Sequence, residues 1–200
     1  MPVPLTLQPT PYEPVPNRIR WTRKQCEMMR DGGILTGRYE LIDGEILSKM
    51  GQKPAHAYVI RALLTWLTGL FGAEYTQIQA TIDLSDTSPD YDEPEPDAAV
   101  TAQPYTHFAE RHPRPEDLLL LIEVSDTTLR FDLNAKANLY ALAGIREYWT
   151  IDITGRRLIV HRQPSPTGYQ EILAYNADEE IASLSRPDRP VRVAELLPRV

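Results

Sequence analysis

Three charged residues in this 200-residue chain stand where their own chemistry makes them costly. Glu123 follows the apolar run Leu118-Leu119-Leu120-Leu121-Ile122. A glutamate there is seldom buried unless it is paired or bound to something. One reading is a salt bridge at a strand end, with Arg130 as the partner. The other is a cation ligand at the C-terminal edge of a sheet. Burial alone fits both, because ion pairs and working sites perturb acids alike. Asp97 opens the short apolar stretch Asp97-Ala98-Ala99-Val100. After Pro96 it reads by itself as a turn aspartate. It gains weight from the second acid on another central strand. Two carboxylates on neighbouring strands repel unless a cation sits between them, and hard oxygen donors with few nitrogens suit Mg²⁺ or Mn²⁺ rather than Zn²⁺. Lys136 is the third. As an i,i+4 partner of Asp132 it is an ordinary surface pair worth about 0.3–0.5 kcal/mol. Yet it also lies next to Ala137 and in line with Tyr140 on the helical wheel, at the border of the packed face. A lysine there can present its ammonium to a bound phosphate or an attacking water.

The elements that must position these residues are legible in the patterning. Thr22 reads as the N-cap of a short helix that Gly32-Gly33 ends. Arg38 to Lys49 reads as a hairpin around Asp43-Gly44. Its register places Glu40, Ile42, Glu45 and Leu47 on one face, and Tyr39, Leu41, Ile46 and Ser48 on the other. Ala55 to Phe71 is the clearest helix, with an apolar stripe of Ile60, Leu63, Leu64, Leu67, Leu70 and Phe71, and with His56 one turn before Ile60. Tyr75 to Leu84 alternates and reads as a strand. Ser85 to Pro96 is a loop, Asp97 to Thr101 a short strand, Gln103 to Asp117 another loop. Leu118 to Val124 reads as a buried central strand. A helix over Asp132 to Ala143 follows, stopped by Gly144. Strands over Glu147 to Ile153, Arg157 to Arg162 and Tyr169 to Ala174 complete the order. The fold class is α/β, a mixed sheet flanked by helices.

Composition narrows the rest. The length suits one domain over residues 21–175, with a Pro-rich extended arm over 1–20 and a Pro-rich segment over 176–200. The single cysteine, Cys26, excludes an internal disulfide and reads as a reduced side chain in a cytoplasmic protein. No apolar run is long enough to span a bilayer, and the N-terminus lacks the pattern of a signal peptide. A net charge of −7 argues against broad, charge-driven binding to nucleic acid. It leaves room for a carboxylate cluster neutralised by metal ions. Between Asp83 and Asp97, seven of fifteen positions are acidic, so negative charge is gathered just ahead of one candidate ligand.

Spacing and order together resemble the PD-(D/E)XK nuclease superfamily, and within it the Uma family of restriction-endonuclease-like proteins. The matching strings are Arg38-Tyr39-Glu40-Leu41-Ile42-Asp43-Gly44-Glu45, Pro96-Asp97, Ile122-Glu123-Val124-Ser125-Asp126-Thr127, Asp132 with Lys136, and Ala143-Gly144-Ile145-Arg146-Glu147-Tyr148-Trp149. They run from about Trp21 to about Tyr169. The resemblance implies a restriction-endonuclease-like core and a Mg²⁺ or Mn²⁺ ion held by Asp97, Glu123 and the backbone carbonyl of Val124. It implies hydrolysis of nucleic-acid phosphodiesters, DNA above all, with Lys136 as the lysine of the set. One departure stands out. The lysine expected two positions after Glu123 is replaced by Ser125, and Lys136 on the following helix takes its place. Glu40 and Asp132 resemble further family acids. His56 also matches a family position, although a packed histidine at a helix start is the ordinary reading.

On this basis the chain is expected to be a metal-dependent endonuclease acting as a homodimer, since two-fold symmetry matches the two strands of DNA. The rival from another class is a DNA-binding or protein-interaction module that keeps the fold without turnover.

Overall fold

The computed structural model describes residues 2–5, 18–49, 51 and 53–199. Most of the arm predicted over residues 1–20 lies outside them. Of that arm, β1 (Val3–Pro4) pairs antiparallel with Ala174 and Leu173 at one sheet edge. Helix α1 (Arg23–Asp31) starts at Thr22, whose hydroxyl accepts the Gln25 N–H while the Gln25 side chain accepts the Thr22 N–H. This reciprocal cap satisfies two donors that the helix start would otherwise leave open. Strands β2 (Tyr39–Ile42) and β3 (Glu45–Ser48) form the predicted hairpin. Asp43 and Gly44 both take positive φ, 49° and 75°, as a tight two-residue turn requires. A Cβ on Gly44 would fall 2.6 Å from the Arg20 Cβ, so the turn also demands glycine for space. The register pairs Glu40 with Leu47 and Leu41 with Ile46, which gives the predicted faces.

Helix α2 (Pro54–Phe71) buries Val59, Ile60, Leu63, Leu67 and Phe71. Leu64, predicted on that stripe, is 41 % exposed, and Val59 is buried instead. The stripe is centred on Leu63 and Leu67, which puts position 64 at its edge.

Seven strands form the main sheet: β4 (Thr76–Ile78), β5 (Ala98–Thr101), β6 (Leu118–Ser125), β7 (Glu147–Asp152), β8 (Arg157–Ser165), β9 (Gly168–Asn176) and β1. Their order is β1-β9-β8-β7-β6-β5-β4. All neighbours are antiparallel except β6 and β7. A parallel pair needs a crossover. Here it is the run α3 (Leu129–Phe131), a π-helical turn (Asp132–Lys136) and α4 (Ala137–Leu142). The expected mixed sheet between helices is the fold.

Two predicted elements change shape. The strand expected over Tyr75 to Leu84 shrinks to Thr76–Ile78, because Gln79 turns to φ 53° and ends the pairing. Ile82 and Leu84 are nonetheless buried, so the alternation marked burial rather than a ladder. The helix expected to start at Asp132 starts at Leu129 instead and contains the π turn.

Alternation along β6 decides what faces the site. Leu120, Ile122 and Val124 pack with α2, together with Trp149 and Ile151 of β7. Leu121 and Tyr148 pack on the opposite face with Tyr140 and Ala141 of α4. By the same period of two, Glu123 points to the α4 face. The C-terminal residues join the α2 side. β10 (Glu180–Ile181), β11 (Val191–Arg192) and α5 (Val193–Leu196) bury Ile181, Val191, Val193 and Leu196 in that core. Glu147 ties them down. Its carboxylate accepts the Ser183 hydroxyl at 2.8 Å, the Leu184 N–H at 2.9 Å and the Arg162 guanidinium at 3.0 Å.

His161 of β8 is fully buried, stacked on Tyr148, with neither ring nitrogen hydrogen-bonded. Burial lowers its pKa from 6.5 to about 4. The unfolded chain therefore binds a proton below pH 6.5 that the folded chain refuses. Stability contributed by neutral His161 is full above about pH 6.5 and falls as pH drops toward 4. The loss is on the order of 3 kcal/mol. Urea titrations at pH 7 and pH 4.5 should show a smaller acid loss for His161→Phe than for wild type, and equal losses would exclude this origin.

Candidate active site

The site is assembled from the hairpin, the start of α2, the facing ends of β5 and β6, and the crossover. It begins with Asp97, which stands just before β5 and is 6 % exposed. Its Oδ2 accepts the Val124 N–H at 2.9 Å. That bond replaces the ladder bond that β5, starting one residue later, no longer supplies to β6. Within a strand the N–H and C=O of one residue face the same neighbour. The Val124 carbonyl therefore also points past the start of β5. His56, in the first turn of α2, places Nε2 3.3 Å from the same Asp97 oxygen. Its Nδ1 is buried without a partner.

Glu123 and Lys136 form the centre. Lys136 Nζ donates to Glu123 Oε1 at 2.8 Å and lies 2.9 Å from Glu40 Oε2. All three residues are buried. Tyr140 O–H also donates to Glu123 Oε1, at 2.8 Å. Lys49, at the end of the hairpin, stands 3.6 Å from Glu40 and donates to the Glu95 carbonyl at 2.7 Å. The Glu123 partner considered from sequence, Arg130, is not the one used. Nor is Lys136 a surface partner of Asp132. Asp132 accepts instead from the Ser125 and Thr128 hydroxyls, both at 2.6 Å. The π turn separates the two side chains that regular i,i+4 spacing would have stacked.

Electrostatics follows from this packing. Burial raises the Glu123 pKa to about 8; Asp97 and Glu40 add to the rise, and Lys136 and Lys49 oppose it. Burial alone would lower the Lys136 pKa, but Glu123, Glu40 and Asp132 outweigh it and hold the ammonium charged. Burial would raise Asp97, but the His56 contact, Lys49 and the Val124 N–H hold its pKa below the ordinary value. For Asp132, burial wins, and its pKa is raised despite Lys136 and the two hydroxyls.

These groups open into a cleft of about 580 Å³. Arg38, Lys49 and Lys53 are among its lining residues, as are Thr127, Thr128 and Phe131. Lys53 forms an ion pair with Asp126 at 2.9 Å. Among the described residues, no group of three or more His, Cys, Asp or Glu is arranged to hold a metal ion. The donor set that does fit is smaller. Asp97 Oδ1 and Glu123 Oε2 carry no hydrogen bond among the described residues, and the Val124 carbonyl lies on the same side as the N–H that Asp97 accepts. All are oxygens, in a centre where carboxylates outnumber the ammonium they share. Mg²⁺ is commonly held by one or two carboxylates while keeping several waters, rather than in an all-protein cage.

The model of the Uma2 family, described as "Putative restriction endonuclease", matches residues 35–189. The chain belongs to this family. The matched region contains Glu40, Lys49, His56, Asp97, Glu123, Asp132, Lys136 and Tyr140, so the whole centre lies inside the Uma2 domain. A crystal structure described as "a putative nuclease belonging to DUF820", from Anabaena variabilis ATCC 29413, shares the fold. Its TM-score is 0.63 at 14 % identity, over 84 % of this chain and 96 % of that one. No curated protein matches the chain. Asp97, Glu123 and Lys136, singled out by residue type, come together in this Uma2 protein, and Glu40, His56 and Asp132 surround them. Tyr140 and Lys49 were missed as site residues. Tyr140 carried a signal, its alignment with Lys136 on the helical wheel; Lys49, at the end of a hairpin, carried none.

The burial of Lys136 rules out its alternative reading as a cheap surface pair with Asp132. In metal-free protein, Lys136→Ala should cost about 3–5 kcal/mol in urea titration, the scale of stranding one side of a buried pair. Lys136→Met, which keeps the volume but leaves the same carboxylates unpaired, should recover only part of it. A loss under about 1 kcal/mol, as at exposed pairs, would contradict the buried arrangement.

Proposed function

We propose that this Uma2 protein is a divalent-metal-dependent endonuclease that hydrolyses phosphodiester bonds, with DNA as its first substrate. The observation that carries the reading is the Lys136 ammonium, 2.8 Å from Glu123 on the strand beside Asp97, at the floor of an open cleft. Asp97, Glu123 and the Val124 carbonyl would hold Mg²⁺ or Mn²⁺. Such an ion, when bound, supplies an acidified water and neutralises charge on the phosphoryl oxygens. Lys136 then orients the water or stabilises the negative charge that develops on phosphorus-bound oxygen. Glu40 keeps the ammonium in place from the hairpin side, and His56 fixes the Asp97 carboxylate. Arg38, Lys49 and Lys53, paired here with Glu95, Glu40 and Asp126, would exchange those acids for a phosphate backbone, which is the sequence-independent part of nucleic-acid binding. A cytoplasmic setting belongs to the same reading, supported by the single, unpaired and buried Cys26. Among the described residues no helix is long and apolar enough to cross a membrane.

Plasmid nicking by purified protein tests it. Cleavage should require Mg²⁺ or Mn²⁺, stop on chelation, and fall about 10²-fold or more in Asp97→Ala and Lys136→Ala, the scale of losing a positioned charged group. Cleavage that persists in Asp97→Ala would remove the site. Binding of DNA without cleavage under any divalent ion would favour the non-catalytic module.

A duplex-cutting enzyme of this kind acts as a two-fold homodimer in the same reading. Sedimentation at micromolar concentration should give twice the 22.7 kDa chain mass. A single species at the chain mass would confine the protein to one strand per encounter.

A further inference from the structure

Among the described residues, Tyr140 is the one uncharged side chain hydrogen-bonded to Glu123. Its ring is fully buried in the α4 face, edge-on to Tyr148 at 5.0 Å between centroids. Its hydroxyl spends its proton on Glu123 Oε1, the oxygen that Lys136 also contacts. Two donors on one carboxylate oxygen fix the plane of the group and leave Oε2 directed elsewhere. The ring cannot follow a moving carboxylate, because Tyr148 packs against it and itself donates to the Asp132 carbonyl at 3.1 Å. That carbonyl is the one that accepts the Ala137 N–H across the π turn presenting Lys136. The tyrosine pair thus braces both the glutamate and the turn that carries the lysine.

The two donors differ in kind. Lys136 is shared with Glu40 and has a long, flexible stem. In the proposed reaction it must also serve water or phosphate. Tyr140 has no other hydrogen-bond partner among the described residues and no freedom to leave. We infer that Tyr140 is a positioning residue, whose hydroxyl holds the Glu123 carboxylate in its metal-binding orientation while Lys136 is engaged elsewhere. This rests on the metal-dependent reading above.

The test is Mn²⁺ titration calorimetry on metal-free wild type, Tyr140→Phe and Tyr169→Phe. Tyr169 is the control, because it too is buried in the aromatic core and its hydroxyl donates to the Ile145 carbonyl, outside the site. Tyr140→Phe should weaken Mn²⁺ binding about tenfold or more, as loss of a group that orients a metal ligand does. Tyr169→Phe should bind as wild type does. Equal affinity in Tyr140→Phe and wild type overturns the inference while leaving the metal site standing. Equal losses in both variants make the effect general loosening of the aromatic core and overturn it too. Failure of wild type to bind Mn²⁺ removes the metal-dependent reading itself, and this inference with it. A near-ultraviolet difference spectrum of wild type on adding Mn²⁺ does not depend on how the variant folds. It should show a tyrosine band, also present in Tyr169→Phe, and its absence from wild type counts against the role.

Discussion

The buried ammonium of Lys136 is the interaction on which the remaining structure depends. At 3 % exposure it has given up its water, and only charges at contact distance make that tolerable. Those charges come from two elements far apart in sequence: Glu40 from the hairpin and Glu123 from the central strand. The lysine itself comes from the crossover. Each element must therefore arrive at one point within a few tenths of an ångström. The hairpin does so through a turn that accepts only positive φ. The strand does so through alternation on a sheet clamped between two cores. The crossover does so through a π turn, which lets Asp132 bond to Ser125 and Thr128 while Lys136 reaches Glu123. A regular helix there would have left both on one stripe.

Charge is managed locally rather than globally. The net charge of −7 describes the chain as a whole, whereas the cleft sets Arg38, Lys49, Lys53 and Lys136 among Glu40, Asp97, Glu123, Asp126 and Asp132. Association with a polyanion is governed by such a local field, focused by a cleft, more than by the overall count. Inside, the acids are handled differently according to their neighbours. Asp97 has a histidine and a backbone N–H and stays readily ionised. Glu123 is driven up chiefly by burial, with two other acids adding to the rise against the lysines that face it. Asp132 has two hydroxyls and serves the crossover. The carboxylates are thus not equivalent, although Asp97, Glu123, Asp132 and Glu40 each keep one oxygen without a donor among the described residues.

Much of this was legible in the sequence, because local rules dominate where the chain is regular. Asp43-Gly44 determined the hairpin and, through its register, the face that Glu40 occupies. The apolar run before Glu123 determined a buried central strand, and an acid ending such a run needs a partner. Thr22 and Gly32 marked the limits of the first helix. The strings that resemble the restriction-endonuclease-like Uma family implied Asp97, Glu123 and Lys136 as one set.

What only the tertiary structure decided were the pairings. Whether Glu123 meets Arg130 or Lys136, and whether Lys136 meets Asp132 or Glu40, turns on a π turn that has no signature in helical periodicity. Gln79 ended a strand that alternation alone would have prolonged, since burial of Ile82 and Leu84 required no ladder. The hydroxyl of Tyr140 was hidden behind its ring, which satisfies the apolar pattern whether or not the oxygen works. Sequence periodicity reports which side chains leave water. Which polar atoms then find one another depends on contacts between distant segments, and those exist only once the chain has closed on itself.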